Sequence, residues 1–168
     1  MRILVAGVGN VFLGDDGFGV AVARRLARRE LPDGVVVTDF GIRGVHLAYE
    51  IAGGEYSCTI MVDAVSRDGP PGTLYVLRPS PGDTLGTFVD AHDMTPDAVL
   101  AFASTLGGNA GPVLLVGCEA ADVSPGMELS PPVAEAVGRA EELVLELIRE
   151  RWPAATDQQQ EGTACSSA

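Results

Sequence analysis

Ile3-Leu4-Val5-Ala6-Gly7-Val8-Gly9-Asn10-Val11-Phe12-Leu13-Gly14-Asp15-Asp16-Gly17-Phe18-Gly19 is the stretch on which the fold turns. Ile3 to Val8 is an apolar run of strand length. Glycines follow it, and from Gly17 to Glu30 the chain reads as a helix, with Val20, Ala23, Ala27 and Leu31 at helical spacing. Strand, glycine loop and helix in that order open an α/β fold, and they also mark where a dinucleotide fingerprint would sit. Asp39, at the end of the next apolar run, even takes the place of a ribose-binding acid. Two features oppose that reading. The third glycine of the fingerprint would fall at position 12, which is Phe12, too bulky for the close helix–strand approach. Asp15 and Asp16 stand at the mouth of the helix, where a pyrophosphate needs positive potential. Of these two acids, Asp15 reads as the helix cap and Asp16 as the chemical group.

Outward from this opening, Val35-Val36-Val37 ending at Asp39 reads as a second strand and Gly44 to Ile51 as a short helix. Cys58 to Val62 is a third, buried strand that ends at Asp63. The link from Asp63 to the β-rich run Thr73 to Leu77 consists of turn residues and is too short for a parallel crossover, so the fourth strand should run antiparallel. Thr95-Pro96 is an N-cap followed by proline at the first helical position, which opens a helix to about Leu106. Pro112 to Gly117 is a fifth strand, and Ser130-Pro131 starts a long helix through Arg151. Strands alternating with helices predict a three-layer α/β/α sandwich around a mostly parallel sheet, with ligands beyond the carboxyl ends of the strands. Residues 1–153 form one domain in this reading, and 154–168, rich in Gln, Ser, Thr, Gly and Ala without periodicity, read as a disordered tail.

Composition narrows the function. A chain of 168 residues is one domain's worth, burying roughly 70% of its unfolded surface. The 23 acids against 11 bases give a net charge of −12, which opposes a phosphate backbone and leaves a protein or metal-bearing partner. No apolar stretch approaches the roughly 20 residues of a membrane span, and the N-terminus lacks the extended apolar region of a signal peptide. A cytoplasmic, soluble monomer is therefore expected. Cys58, Cys118 and Cys165 are an odd number without CxxC spacing and read as reduced thiols.

Asp16 follows strand one, Asp63 ends strand three and His92 precedes the helix before strand five, so all three should meet at one edge of the sheet. Two carboxylates and an imidazole suit a divalent ion and leave positions open, as metal-assisted hydrolysis requires. The other histidine, His46, falls within the short helix and reads as an exposed side chain. There is no GxSxG elbow and no His-Glu-x-x-His helix. Cys118 and Glu119 end the fifth strand at the same edge, but the apolar flank of Cys118 favours an inert thiol over a nucleophile.

Taken together, Gly7-x-Gly9-Asn10, Gly14-Asp15-Asp16-Gly17-x-Gly19, Asp39-x-Gly41-x-x-Gly44, Asp63-Ala64 and His92 resemble the hydrogenase maturation endopeptidases, in order and spacing from Met1 to about Arg151. The resemblance implies a five-stranded sheet of order 2-1-3-5-4 with strand 4 antiparallel. It implies that Asp16, Asp63 and His92 match the family's catalytic, metal-binding positions. The metal is implied to be nickel already installed in the substrate, the precursor of a nickel-iron hydrogenase large subunit, whose C-terminal extension is cut off. Many members carry Gly-Thr-x-Gly after the acid of strand two, where this chain has Gly41-Ile42-Arg43-Gly44. The family associates that segment with substrate recognition, which makes Asp39, Gly41, Arg43 and Gly44 the expected recognition set and leaves the client hydrogenase open. The runner-up of another class is a non-hydrolytic nickel-sensing or chaperone module with the same three ligands. A nucleotide-binding enzyme stands third.

Overall fold

Strict alternation along the first strand, β1 (Ile3–Val8), sets the layering. Ile3 and Val5 enter one apolar cluster, Leu4 and Ala6 the other, and all four are buried. A strand covered on both faces belongs in the middle of a sheet between two layers of helices. The computed structural model describes residues 1–81, 95–108 and 110–151. His92, Cys165 and the expected tail at 154–168 lie outside these residues.

The sheet contains β1, β2 (Val35–Gly41), β3 (Cys58–Val65), β4 (Leu74–Leu77) and β5 (Val113–Glu119) in the order β2-β1-β3-β5-β4. All neighbours are parallel except β4 and β5, which pair antiparallel with Leu74 opposite Cys118. The short link after Asp63 had required that reversal. Helices α1 (Phe18–Leu26) and α4 (Pro131–Arg151) cover one face with Phe18, Val22, Leu26, Val133, Ala140 and Ile148. Helices α2 (Gly44–Ala52) and α3 (Pro96–Thr105) cover the other with Leu47, Ala48, Ile51, Val99 and Leu100. The result is the three-layer sandwich expected from the sequence.

Several boundaries differ from the reading of the sequence, among them β2, which runs past Asp39 to Gly41, and β5, which runs past Gly117 to Glu119. The helix expected from Gly17 to Glu30 ends at Leu26, because the N–H groups of Arg28 and Arg29 bond to the carbonyls of Arg25 and Leu26 and tighten the chain into turns. Its start is preceded by a single 3-10 turn, Gly14–Gly17. Strand β3 does not stop at Asp63 but runs to Val65, since β5 pairs with it that far, Asp63 lying opposite Gly117 and Val65 opposite Glu119. Thr95 caps α3 as expected, its side chain accepting from the Ala98 N–H at 3.3 Å. Helices α1 and α4 are joined by charge as well as apolar packing: the buried Glu141 carboxylate takes the Arg25 guanidinium and, at 3.2 Å, Arg29 Nε.

Candidate functional site

Helix α1 must approach the sheet closely if the loop before it is to reach the strand ends, and Gly19 makes the approach possible. A Cβ there would lie 2.8 Å from the Val62 carbonyl carbon and closer still to the oxygens of Val62 and Val8. Gly7 serves the same contact from the strand side, 3.1 Å from the Gly19 carbonyl carbon and 2.5 Å from the Ala23 side chain if a Cβ were added. The close helix–strand contact that Phe12 could not provide is thus supplied further along.

Gly9 sits where the loop leaves β1, at φ +136°. A Cβ on it would be 3.0 Å from the Asp16 carbonyl carbon and 3.7 Å from Asp63 Oδ1, so a bare backbone here is what allows Asp16 and Asp63 to share one small volume. Asp16 is oriented by the Asn10 N–H, which donates to its Oδ2 at 2.8 Å, and Asn10 Oδ1 in turn accepts from the Phe12 N–H at 2.9 Å. The loop is tied sideways to the end of β2 by the Gly9 N–H donating to the Gly41 carbonyl at 3.0 Å.

Asp63 is buried at the carboxyl end of β3. Its burial and then the neighbouring Asp16 charge push its carboxyl well above the usual carboxylate range, against a smaller opposing effect from the Ala64 N–H. Among the described residues neither Asp16 nor Asp63 has an ion-pair partner. Two adjacent carboxyl groups, one of them desolvated, form a pair whose joint ionisation a cation would favour. The described residues contain no group of three His, Cys, Asp or Glu that could hold a metal ion. Asp16 and Asp63 are therefore two of the three expected ligands brought together, and His92, the third, lies outside the described residues.

Both carboxylates open on a cleft of about 950 Å³, walled by Val8, Asn10 and Leu13 on one side and by Val65, Arg67 and Arg78 on another. Of the expected recognition residues, Gly41 and Gly44 line this cleft together with Ile42. Asp39 and Arg43 do not line it. The Asp39 carboxylate accepts from Arg24 Nε at 3.2 Å, and the Arg43 guanidinium donates to the carbonyl oxygens of Asp39 and Phe40. The two side chains thus brace the turn that presents Gly41 and Ile42. His46 is exposed on α2, as expected.

Asp15 is not the helix cap. No side chain caps the 3-10 turn or α1. The Asp15 carboxylate, with no exposure, instead accepts from the N–H groups of Ala121 at 2.8 Å, Asp122 at 2.9 Å and Ser130 at 2.7 Å, and from the Ser130 hydroxyl at 2.8 Å. Burial works against its charge, but these four donors outweigh it and hold the carboxyl below its usual value. The helix mouth needed no cap because Gly14–Gly17 already leads into it as a turn, which leaves the carboxylate for the distant loop.

Glu119, seen in the sequence only as an edge residue, is also buried, and its carboxylate accepts from the Arg67 N–H at 3.0 Å and the Tyr75 hydroxyl at 3.2 Å. It fixes the β3–β4 connection that forms the far wall of the cleft. Cys58 and Cys118 are buried and unpaired. Burial pushes the Cys118 thiol up to about 11, which removes it from the candidates for a nucleophile.

Comparison with known proteins gives a consistent family and fold. Residues 20–147 match the family model described as hydrogenase maturation protease. The hydrogenase 2 maturation protease of Escherichia coli is 35% identical over 153 residues, which is 89% of this chain and 92% of that protein. Among solved structures, the E. coli hydrogenase maturating endopeptidase HybD superimposes with a TM-score of 0.76 at 32% identity, covering 90% of this chain and 94% of that one. The [NiFe] hydrogenase maturation protease HycI of Thermococcus kodakarensis gives a TM-score of 0.71 at 28% identity, with 88% and 92% covered.

Proposed function

The chain belongs to the hydrogenase maturation protease family and is a peptidase; from that premise we propose that it processes a hydrogenase large-subunit precursor, and that Asp16, Asp63 and His92 read nickel carried by the precursor before its C-terminal extension is cut. The observation that carries this reading is the Asp16–Asp63 pair, a buried carboxyl beside a second one with no counter-ion among the described residues. Alone, the pair disfavours its own ionisation. A cation arriving with the substrate relieves both the desolvation of Asp63 and its repulsion by Asp16, so a metal-loaded precursor gains affinity that an empty one lacks.

Among the described residues the site has no activated serine, and Cys118 is held as a thiol, so water is taken as the attacking group. Its oxygen adds to the scissile carbonyl, and the substrate's nickel, held by Asp16, Asp63 and His92, would supply the polarisation of that water. Its proton passes to a carboxylate of the pair and then to the departing amine, as general acid–base catalysis requires. Gly41, Ile42 and Gly44 lie along the cleft where the chain next to the scissile bond would run, with Asp39 and Arg43 acting through the turn they brace. We propose further that it works as a monomer in the cytoplasm. Among the described residues no helix is long and apolar enough to cross a membrane.

The test is cleavage of purified precursor by chelator-treated protein, followed by mass spectrometry. Nickel-loaded precursor should lose its extension and nickel-free precursor should not. Efficient cutting of nickel-free precursor by zinc-reloaded protein would replace the nickel-reading mechanism with an ordinary zinc peptidase.

A further inference from the structure

The segment between β5 and α4, from Ala120 to Ser130, has no helix or strand, and residues 121 to 128 are all exposed. A loop of this length with such exposure ordinarily gains little order from packing. This one is bound tightly to the glycine loop. Besides the four bonds to the Asp15 carboxylate, the Gly14 N–H donates to the Gly126 carbonyl at 2.8 Å, the Asp15 N–H to the Asp122 carbonyl at 2.9 Å and the Gly126 N–H to the Phe12 carbonyl at 2.8 Å. Leu13 and Gly126 form an isolated parallel bridge.

What these bonds hold in place is apolar and exposed. Phe12 is 62% exposed, Val123 52% and Met127 73%, on two segments joined main chain to main chain. Large side chains kept in water on a rigid frame mark a surface that another protein covers, and aromatic residues and methionine are favoured at the centre of such surfaces. Asp122 and Glu128 are exposed on the same segment, and the whole chain carries −12. The complementary partner surface is therefore apolar with a basic rim. The frame is continuous with the site: Asp16 follows Asp15 directly, and Leu13, next to Phe12, lines the cleft. A folded protein substrate that delivers its C-terminal segment to Asp16 and Asp63 past Leu13 has this edge beside it to rest on.

The geometry points to the Phe12–Val123–Met127 edge as the docking face for the folded body of the hydrogenase precursor, with Asp15 as the positioning residue that keeps it formed. This inference rests on the reading of the chain as the precursor's peptidase, and the experiment separates the two. Binding of purified nickel-loaded precursor is measured by biolayer interferometry, and its cleavage over a range of concentrations, for the parental protein, for Phe12→Ser, Val123→Ser and Met127→Ser, and for Asp15→Asn. Each surface change should weaken binding and raise KM about tenfold while kcat stays within about twofold. Because the altered side chains are exposed, the melting temperature should not move. Asp15→Asn, in which an amide N–H₂ faces N–H donors, lowers stability in either case, but as a positioning change it should raise KM likewise with kcat held, whereas a merely structural role would lower kcat and leave KM unmoved. Parental protein that neither binds nor cuts precursor would overturn the functional reading and the docking face with it. Parental binding matched by all three surface variants would overturn the docking face alone.

Discussion

Placing a methyl group on Gly19 tests whether helix–sheet separation controls both stability and the site. An added Cβ would meet the Val62 carbonyl carbon at 2.8 Å, with the oxygens of Val62 and Val8 nearer. Both obstacles are backbone atoms of central strands, so neither can swing aside, and α1 must lift by roughly 1 Å, enough to forfeit a quarter to a half of each contact's attraction. Phe18, Val22 and Leu26, all fully buried on α1, lose contact together. Overpacking of this kind costs about 3 kcal/mol or more even after alanine's helical advantage of about 1 kcal/mol is returned. For a domain of this size that is a fall in Tm of roughly 6–12 °C. Gly138 on α4 provides the matched control, because a Cβ there meets only the Arg25 guanidinium, Nη2 at 3.7 Å and Cζ at 3.9 Å, in ordinary contact. Gly138→Ala should therefore stabilise by about 0.5–1 kcal/mol. Thermal unfolding followed by circular dichroism reads both, and precursor cleavage should fall in Gly19→Ala alone, since lifting α1 drags Asp16 away from Asp63. If both alanines shift Tm in the same direction, the close packing at Gly19 does not set the helix position.

Three further outcomes follow from the charges and thiols. Asp63→Asn should abolish cleavage yet hold or raise stability at neutral pH by about 1–2 kcal/mol, as a buried charge beside Asp16 is removed. The Asp63 carboxyl is raised in the folded protein, so the parental protein should lose stability as pH climbs from the ordinary carboxylate range through the folded value, a loss that urea titrations of the variant should not show. Asp15 has the opposite sign: its lowered carboxyl stabilises the fold above pH 3.8, and that contribution disappears as pH falls through the lower folded value. Asp15→Asn should accordingly unfold earlier in urea at pH 6 while showing a shallower acid limb, and an unchanged limb would count against the four-donor site. Native protein treated with iodoacetamide at pH 8 should carry no label on Cys58 or Cys118 by peptide mass spectrometry, and its cleavage rate should be untouched; labelled, inactive Cys118 would restore it as a nucleophile.

The layering was legible in the sequence because it depends on local periodicity: apolar runs of strand length, two helix starts marked by proline, and a link after Asp63 too short to cross over. The convergence of Asp16 and Asp63 was legible for the same reason, Asp63 lying near the end of β3 and Asp16 in the loop that follows the neighbouring parallel strand β1. Asp15 was misread as a cap because its partners lie 106 to 115 residues away, and adjacent acids at a helix mouth carry no local mark of which one turns inward. The work of Gly19 was equally hidden, since it depends on carbonyl oxygens of two other elements. Strand β3 outran its expected end because the pairing of Val65 with Glu119 is decided by β5, not by the residues after Asp63.

The sheet order also fixes a sequence of events during synthesis. Strands β1, β2 and β3 are made in succession and are neighbours, so this half of the sheet can form while the chain is still emerging. Strand β4 is made next, but its neighbour is β5, and it waits unpaired until α3 and β5 have followed. The glycine loop waits longer, for its anchors are residues 121 to 130. A nascent chain released before that point has the neighbouring strands that lead to Asp16 and carry Asp63 yet no edge on which to seat a client, so on this reading the protease becomes competent only after residue 130 has been made.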